Sequence, residues 1–245
     1  MSHILYAALF GALIGSFLNV IIYRLPRIMA GDKLTLSWPG SHCPHCKTKI
    51  RIYHNIPLIS WLCLKGQCYQ CQQPVHWRYP LVELLTAIMF ALVIAKHGIT
   101  LQSLSDLLLL CFLIPLFFID LETQLLPNKL TYPLLLCALM LAGSRSGHVD
   151  FTHSCFAASL GFGLPWLLNL FYQWRHGRAG MGMGDMKLFA GVGAWLGYEA
   201  LLHIMLLASL LAITTTLLFL RQKRHEAFPF GPYLIGATWV VFLSL

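Results

Sequence analysis

A succession of eight apolar runs constrains this chain more than any other feature. They fall at roughly residues 4–23, 80–96, 104–119, 130–143, 153–173, 181–198, 200–220 and 229–245. A chain of 245 residues, 58% hydrophobic and only 11% charged, cannot hide that much apolar surface in a soluble core. The runs predict an all-α polytopic membrane protein with about eight transmembrane helices in a lipid bilayer. Several are shorter than the ~20 residues an upright helix needs, which predicts tilted helices or helices that extend past these limits. The first run has no basic flank and no small-residue cleavage site before it ends. It reads as a retained helix rather than a removable signal peptide.

Seventeen Lys and Arg face nine Asp and Glu, for a net charge of +8. The distribution explains the excess. With eight spans, alternate loops cover residues 24–79, 120–129, 174–187 and 221–228, which carry eight, one, three and three Lys or Arg. The other set of loops holds only Lys96 and Arg145. Basic loops stay in the cytoplasm, so this asymmetry predicts both termini outside and makes the charge a topology signal. Nucleic acid is not expected as a partner.

The long first loop divides the chain into three parts: a first helix at 1–23, a cytoplasmic unit at 24–79 and a helical bundle at 80–245. The loop holds five of the eight cysteines, including the pairs Cys43-Pro-His-Cys46 and Cys68-Tyr-Gln-Cys71 with 21 residues between them. Two CxxC turns offer four thiolates, the donor set of tetrahedral structural zinc. A unit this small lacks the core to fold unaided, so metal would supply much of its stability. The reducing cytoplasm disfavours disulfides. Cys63 is left over, and His42, His45 and His54 read as surface or supporting residues. Cys111, Cys137 and Cys155 lie in apolar runs and read as small buried hydrophobes.

Two aspartates sit where a membrane protein tolerates them least. Asp120 closes the third run in Phe117-Phe118-Ile119-Asp120, and Asp185 follows Gly180-Met181-Gly182-Met183-Gly184. Ionisable residues at the edge of a low-dielectric slab are functional candidates. The charge-derived topology brings both to the cytoplasmic face. Two carboxylates held together cannot both ionise cheaply, so they share a proton, and such a pair hydrolyses peptides without a metal or a nucleophilic side chain. Gly182 and Gly184, lacking Cβ atoms, permit positive φ and let another backbone approach, and are expected to shape the site. The competing reading makes Asp185 a helix N-cap and Asp120 part of a solvated loop.

The remaining polar residues suggest structural roles. Asp106 and Asp150 are expected near the outer face, solvated. Glu83, with Pro80 ahead of it, is expected in a helix first turn complementing the dipole. Asn19 and Arg24 are expected as interhelical glue and a snorkelling side chain.

Taken together, these residues resemble the prepilin peptidases, or type IV leader peptidases, of bacterial inner membranes. The resemblance runs over nearly the whole chain. It is carried by Gly15-Ser16-Phe17-Leu18-Asn19-Val20 with Tyr23-Arg24-Leu25-Pro26, both CxxC pairs, Asn55-Ile56-Pro57-Leu58 and Arg78-Tyr79-Pro80-Leu81-Val82-Glu83. It continues through Asp120 to Pro127, Gly182-Met183-Gly184-Asp185 with Lys187, and Phe228-Pro229-Phe230-Gly231-Pro232-Tyr233. The resemblance implies a GxGD intramembrane aspartic protease whose catalytic residues match Asp120 and Asp185. It implies type IV prepilin or type II secretion pseudopilin substrates, cut after a glycine at the cytoplasmic face of a hydrophobic helix. Many members also methylate the new N-terminus, usually phenylalanine, with S-adenosylmethionine. Such members carry the cysteine-bearing loop and compact relatives without it tend to be peptidases only, which favours a bifunctional enzyme. Asn128 departs from the aspartate common in the family and reads as a turn residue. Two alternatives stand beside this reading. One is a peptidase without methyltransferase activity. The other is a zinc-stabilised membrane scaffold or transporter, which the placement of both aspartates at one face disfavours.

Overall fold

The computed structural model describes residues 2–144, 146–219 and 230–244. Arg145, the basic 221–228 loop, Pro229 and the final residue of the last run lie outside the described residues. Among the described residues the regular elements are helices, and the segment between Met29 and Arg78 is mostly irregular. Among the described residues, β pairing is confined to two isolated antiparallel bridges, His42 with Lys49 and Gln67 with Pro74.

In order, the helices are α1 (Ser2–Met29), α2 (Ile59–Cys63), α3 (Arg78–His97), α4 (Leu101–Thr123), α5 (Asn128–Gly143), α6 (Phe151–His176), α7 (Met183–Leu196), α8 (Tyr198–Phe219) and α9 (Gly231–Ser244), with one 3-10 turn at Ile52–Asn55. The chain forms two compact units, Met1–Pro115 and Leu116–Leu245, with the boundary inside α4. Among the described residues, five helices are long and apolar enough to cross a membrane: α1, α3, α4, α6 and most of α8. α5 and α9 are shorter apolar helices. The helix α1 runs to Met29, past the expected end at residue 23, with Pro26 inside it.

In the first unit, α1 and α3 meet through glycines. A Cβ on Gly11 would lie 2.8 Å from the Thr86 carbonyl, and one on Gly15 would lie 2.8 Å from Glu83 Cα. Small residues four apart let two membrane helices bring their backbones together. Asn19 adds the expected glue, its side-chain N–H donating to the Tyr79 carbonyl at 3.0 Å.

Three expectations in this unit need correction. Arg24 does not snorkel. It is buried and donates to the carbonyls of Thr35, Leu36 and Pro39 at 2.9, 3.3 and 2.6 Å, because three backbone acceptors hold its charge better than a lipid boundary does. Glu83 lies beyond the first turn, since α3 already begins at Arg78. Its carboxylate accepts the Leu58 N–H at 2.8 Å and pins a residue whose φ is +62°. Asp106 is fully buried rather than solvated, and it has an interaction within the protein.

In the second unit, α7 is the interior helix: every residue from Leu188 to Leu196 is buried. Glycines again permit the packing. A Cβ on Gly161 of α6 would lie 2.8 Å from the Phe189 carbonyl, and one on Gly193 would lie 2.9 Å from the Ala157 carbonyl. Ser154 of α6 donates to the Ala194 carbonyl at 2.7 Å. α8 buries Leu201, Ile204 and Ala208 while exposing Leu202, Leu206, Leu210, Ile213 and Leu217. An apolar face on each side is the pattern of a helix between protein and lipid. The cysteines Cys111, Cys137 and Cys155 are half-buried rather than buried.

Candidate active site

Asp120 occupies the last turn of α4 and is buried, with 4% of its surface exposed. Asp185 is the third residue of α7 and is half-buried. The chain between them brings them together. After α4, the 124–127 connection crosses the first turn of α7, where a Cβ on Gly184 would lie 2.9 Å from Leu126 Cβ. One turn deeper, Lys187 Nζ donates to the Asn128 side-chain oxygen at 2.8 Å and lies over the Tyr132 ring at 4.8 Å. Asn128 is therefore the first residue of α5, linking it to α7, rather than a turn residue. Deeper still, Gly191 lets Leu134 approach, where a Cβ would meet its Cδ2 at 2.9 Å.

The two carboxylates converge on Gly231. A Cβ there would collide with Asp120 Oδ2 and lie 3.3 Å from Asp185 Oδ1. The Gly231 N–H is the backbone donor facing Asp120, and the Gly182 N–H faces Asp185. The carboxylates are close enough to act on each other electrostatically. Asp120 Oδ2 is buried without a hydrogen-bond partner among the described residues. A buried acceptor left unpaired is costly, and a proton placed between the two acids would relieve that cost.

Gly182 and Gly184 both sit in ordinary backbone conformations. Neither adopts positive φ; Gly182 is an extended N-cap at φ −70° and Gly184 is helical. Space explains both glycines: Gly184 lies under Leu126, and a Cβ on Gly182 would sit 3.3 Å from Asp185 Oδ2. Gly182, not Asp185, is the N-cap. Asp185 sits at N3 and faces back toward the N-cap N–H, as the acidic member of a capping box does.

Two contributors escaped the sequence reading. Gly231 gave one signal, a glycine before Pro232 at the head of an apolar run. Asn169 gave another, a lone amide in Leu167-Leu168-Asn169-Leu170 of α6. Its side-chain oxygen accepts the N–H groups of Gly180 and Met181 at 2.8 and 3.0 Å, anchoring the segment that leads into Gly182.

The first unit holds a second cluster. Sγ atoms of Cys43, Cys46, Cys68 and Cys71 all lie within 4.8 Å of one another. Cys43 and Cys71 are 3.8 Å apart, and Cys46 and Cys68 are 4.0 Å apart. Four thiolates around zinc with Zn–S near 2.3 Å stand about 3.8 Å apart, so the donor set and its spacing fit that ion. The two knuckles repeat one backbone pattern. Cys43 N–H bonds Thr48 O while Lys47 N–H bonds Cys43 O; Cys68 N–H bonds Gln73 O while Gln72 N–H bonds Cys68 O. Lys47 and Gln72, at matching positions, both have φ +57°. The Thr48 hydroxyl and N–H pull the Cys46 thiol down to about 6, favouring the thiolate that binds metal. His42, His45 and His54 stay outside the cluster: His42 bonds the Gly40 carbonyl, His45 is exposed, and His54 packs between Tyr53 and Tyr69.

An apolar helical protein with two acids converging at a helix N-terminus belongs, by fold and site, to the class of membrane proteins with a two-carboxylate centre. Comparison narrows the class. Residues 9–97 match the bacterial peptidase A24 N-terminal domain, and residues 107–217 match the type IV leader peptidase family. The chain is 39% identical to the prepilin leader peptidase/N-methyltransferase of Neisseria gonorrhoeae, over 97% of this chain and 89% of that protein. It is 40% identical to the protein of the same description from Aeromonas hydrophila (96% and 88% covered) and 37% identical to that of Pseudomonas aeruginosa (99% and 91%). No solved structure matches the chain. The chain belongs to the type IV leader peptidase family.

Proposed function

We infer that this chain is a bifunctional prepilin leader peptidase and N-methyltransferase, with Asp120 and Asp185 as the peptidase's catalytic pair. One observation carries the assignment: both carboxylates converge on Gly231, with a buried Asp120 oxygen that has no other hydrogen-bond partner among the described residues. The pair shares one proton. The ionised acid draws a proton from water as it attacks the scissile carbonyl, while the protonated acid donates to the carbonyl oxygen. Proton return to the departing amine completes cleavage. Gly231 leaves space for the two acids, and Asn169 holds the segment that carries Asp185.

The finer features follow the same reading. The protein crosses the bacterial inner membrane about eight times, with both termini outside and the aspartates at the cytoplasmic face. Residues 1–23 form a first span, 24–79 a cytoplasmic unit and 80–245 the peptidase bundle. Zinc at Cys43, Cys46, Cys68 and Cys71 has a structural role; four thiolates leave no open position for a catalytic water. Type IV prepilins or type II secretion pseudopilins are the substrates. S-adenosylmethionine supplies the methyl group for the new N-terminal amine. The similarity to full-length bifunctional relatives supports this second activity.

The test is one mass spectrum. Purified enzyme is incubated with a prepilin and S-adenosylmethionine. The expected product has lost its leader and gained one methyl group. An uncut substrate would refute the peptidase assignment, and a trimmed but unmethylated product would leave a peptidase alone.

A further inference from the structure

Within the second unit lies a cavity of about 410 Å³ whose wall includes residues next in sequence to those that face the aspartates. That volume lies in the range of built ligand pockets. Its walls include Pro165 and Leu168 of α6, Phe189 of α7, Met205 of α8, and Phe230 and Leu234 at the head of α9. The chain couples it to the acids at two points. Met181 in the wall directly precedes Gly182, which faces Asp185, and Phe230 directly precedes Gly231, which lies against both carboxylates.

The wall is chemically selective. Two of its polar side chains are engaged within the protein: the Asn169 side-chain oxygen accepts from Gly180 and Met181, and Ser209 donates to the Met205 carbonyl. Gly180 is packed against the Tyr172 ring, where a Cβ would lie 2.9 Å from Cδ1. What an occupant meets is mostly apolar surface from several helices. A lipid chain would gain from any such surface, but a lipid-facing groove has no need to share backbone with the two acids.

We propose that this cavity is a specificity subsite, seating an apolar side chain of the substrate beside the scissile bond. The proposal rests on the peptidase reading above. A peptide bond held at Asp120 and Asp185 sets its neighbouring side chains within one or two residues of Met181 and Phe230. Burying one of them in the cavity fixes the register of the cut, because only one bond then reaches the acids. Leu168, Met205 and Phe189 are the residues that set the size of the accepted side chain.

The test pairs pocket-filling variants with altered substrates. Leu168→Trp and Met205→Trp narrow the cavity from two different helices, at side chains that are exposed and half-buried respectively. Each is assayed on a prepilin-type peptide and on a set in which apolar residues within two positions of the cut, on either side, are replaced singly by alanine. For the parent peptide the expected loss in kcat/KM is roughly tenfold or more, in line with pocket discrimination between apolar side chains of different size. For one alanine-bearing peptide that loss shrinks to within about twofold, identifying the seated residue. An equal effect on every peptide, or none, would overturn the subsite and leave the cavity to lipid. A fold defect in one variant lowers all rates alike, so the variant on the other helix decides. Asp120→Asn is run in parallel: normal cleavage by it would mean that the peptidase reading itself has failed, a result separate from the loss of coupling.

Discussion

Gly231 shows how a single missing Cβ organises the site. The two acids approach the space a side chain would fill, so Gly231→Ala must push one of them away. A displacement of about 1 Å at a reacting centre costs on the order of 10²-fold in rate. Gly231→Ala is expected to lose at least that much in cleavage while the protein remains folded, measured by turnover alongside the thermal unfolding midpoint. At this scale the sequence was partly informative. Asp120 and Asp185 stood out because carboxylates in apolar surroundings are rare. Gly231, Leu126 and Asn169 did not, because a glycine before proline and a leucine in a connection have many ordinary uses. Their significance lies in contacts across more than ten positions of sequence. Arg24 was misread for the same reason, since its backbone acceptors, Thr35, Leu36 and Pro39, lie more than ten residues away.

At the scale of elements, repeated local patterns were more legible than joints between them. The CxxC spacing foretold two thiol pairs, and the structure brings all four sulfurs together through matching turns. The Glu83 link between α3 and Leu58 was not foreseen, because α3 starts two residues before Pro80 and moves Glu83 out of the first turn. Metal binding in so small a unit is coupled to its folding. Cys46→Ser, or a strong chelator, is therefore expected to lower zinc content and to expose loop amides to hydrogen exchange. Cleavage should be less directly affected, because the aspartates stand in the other unit. Protected loop amides in the zinc-free protein would show that the metal is not what folds it.

Across the whole molecule, the apolar runs forecast the helical class well and the helix limits less well. α1 extends to Met29, and α7 spans only Met183–Leu196 because it is an interior helix whose length is set by its protein neighbours. The topology predicts that alkaline phosphatase fused after Gly98 is active outside the membrane, and that the same reporter after Gly177 is inactive. The reverse pattern would invert the protein and move the aspartates to the wrong face for a cytoplasmic cut. The most direct measurement for the central claim is prepilin cleavage by purified Asp120→Asn and Asp185→Asn, read by mass spectrometry. Each substitution keeps the size of the side chain and removes its acid. Neither variant is expected to yield detectable trimmed product under conditions where the parent enzyme completes the reaction. Cleavage by either one at a rate near the parent's would contradict the paired-aspartate account.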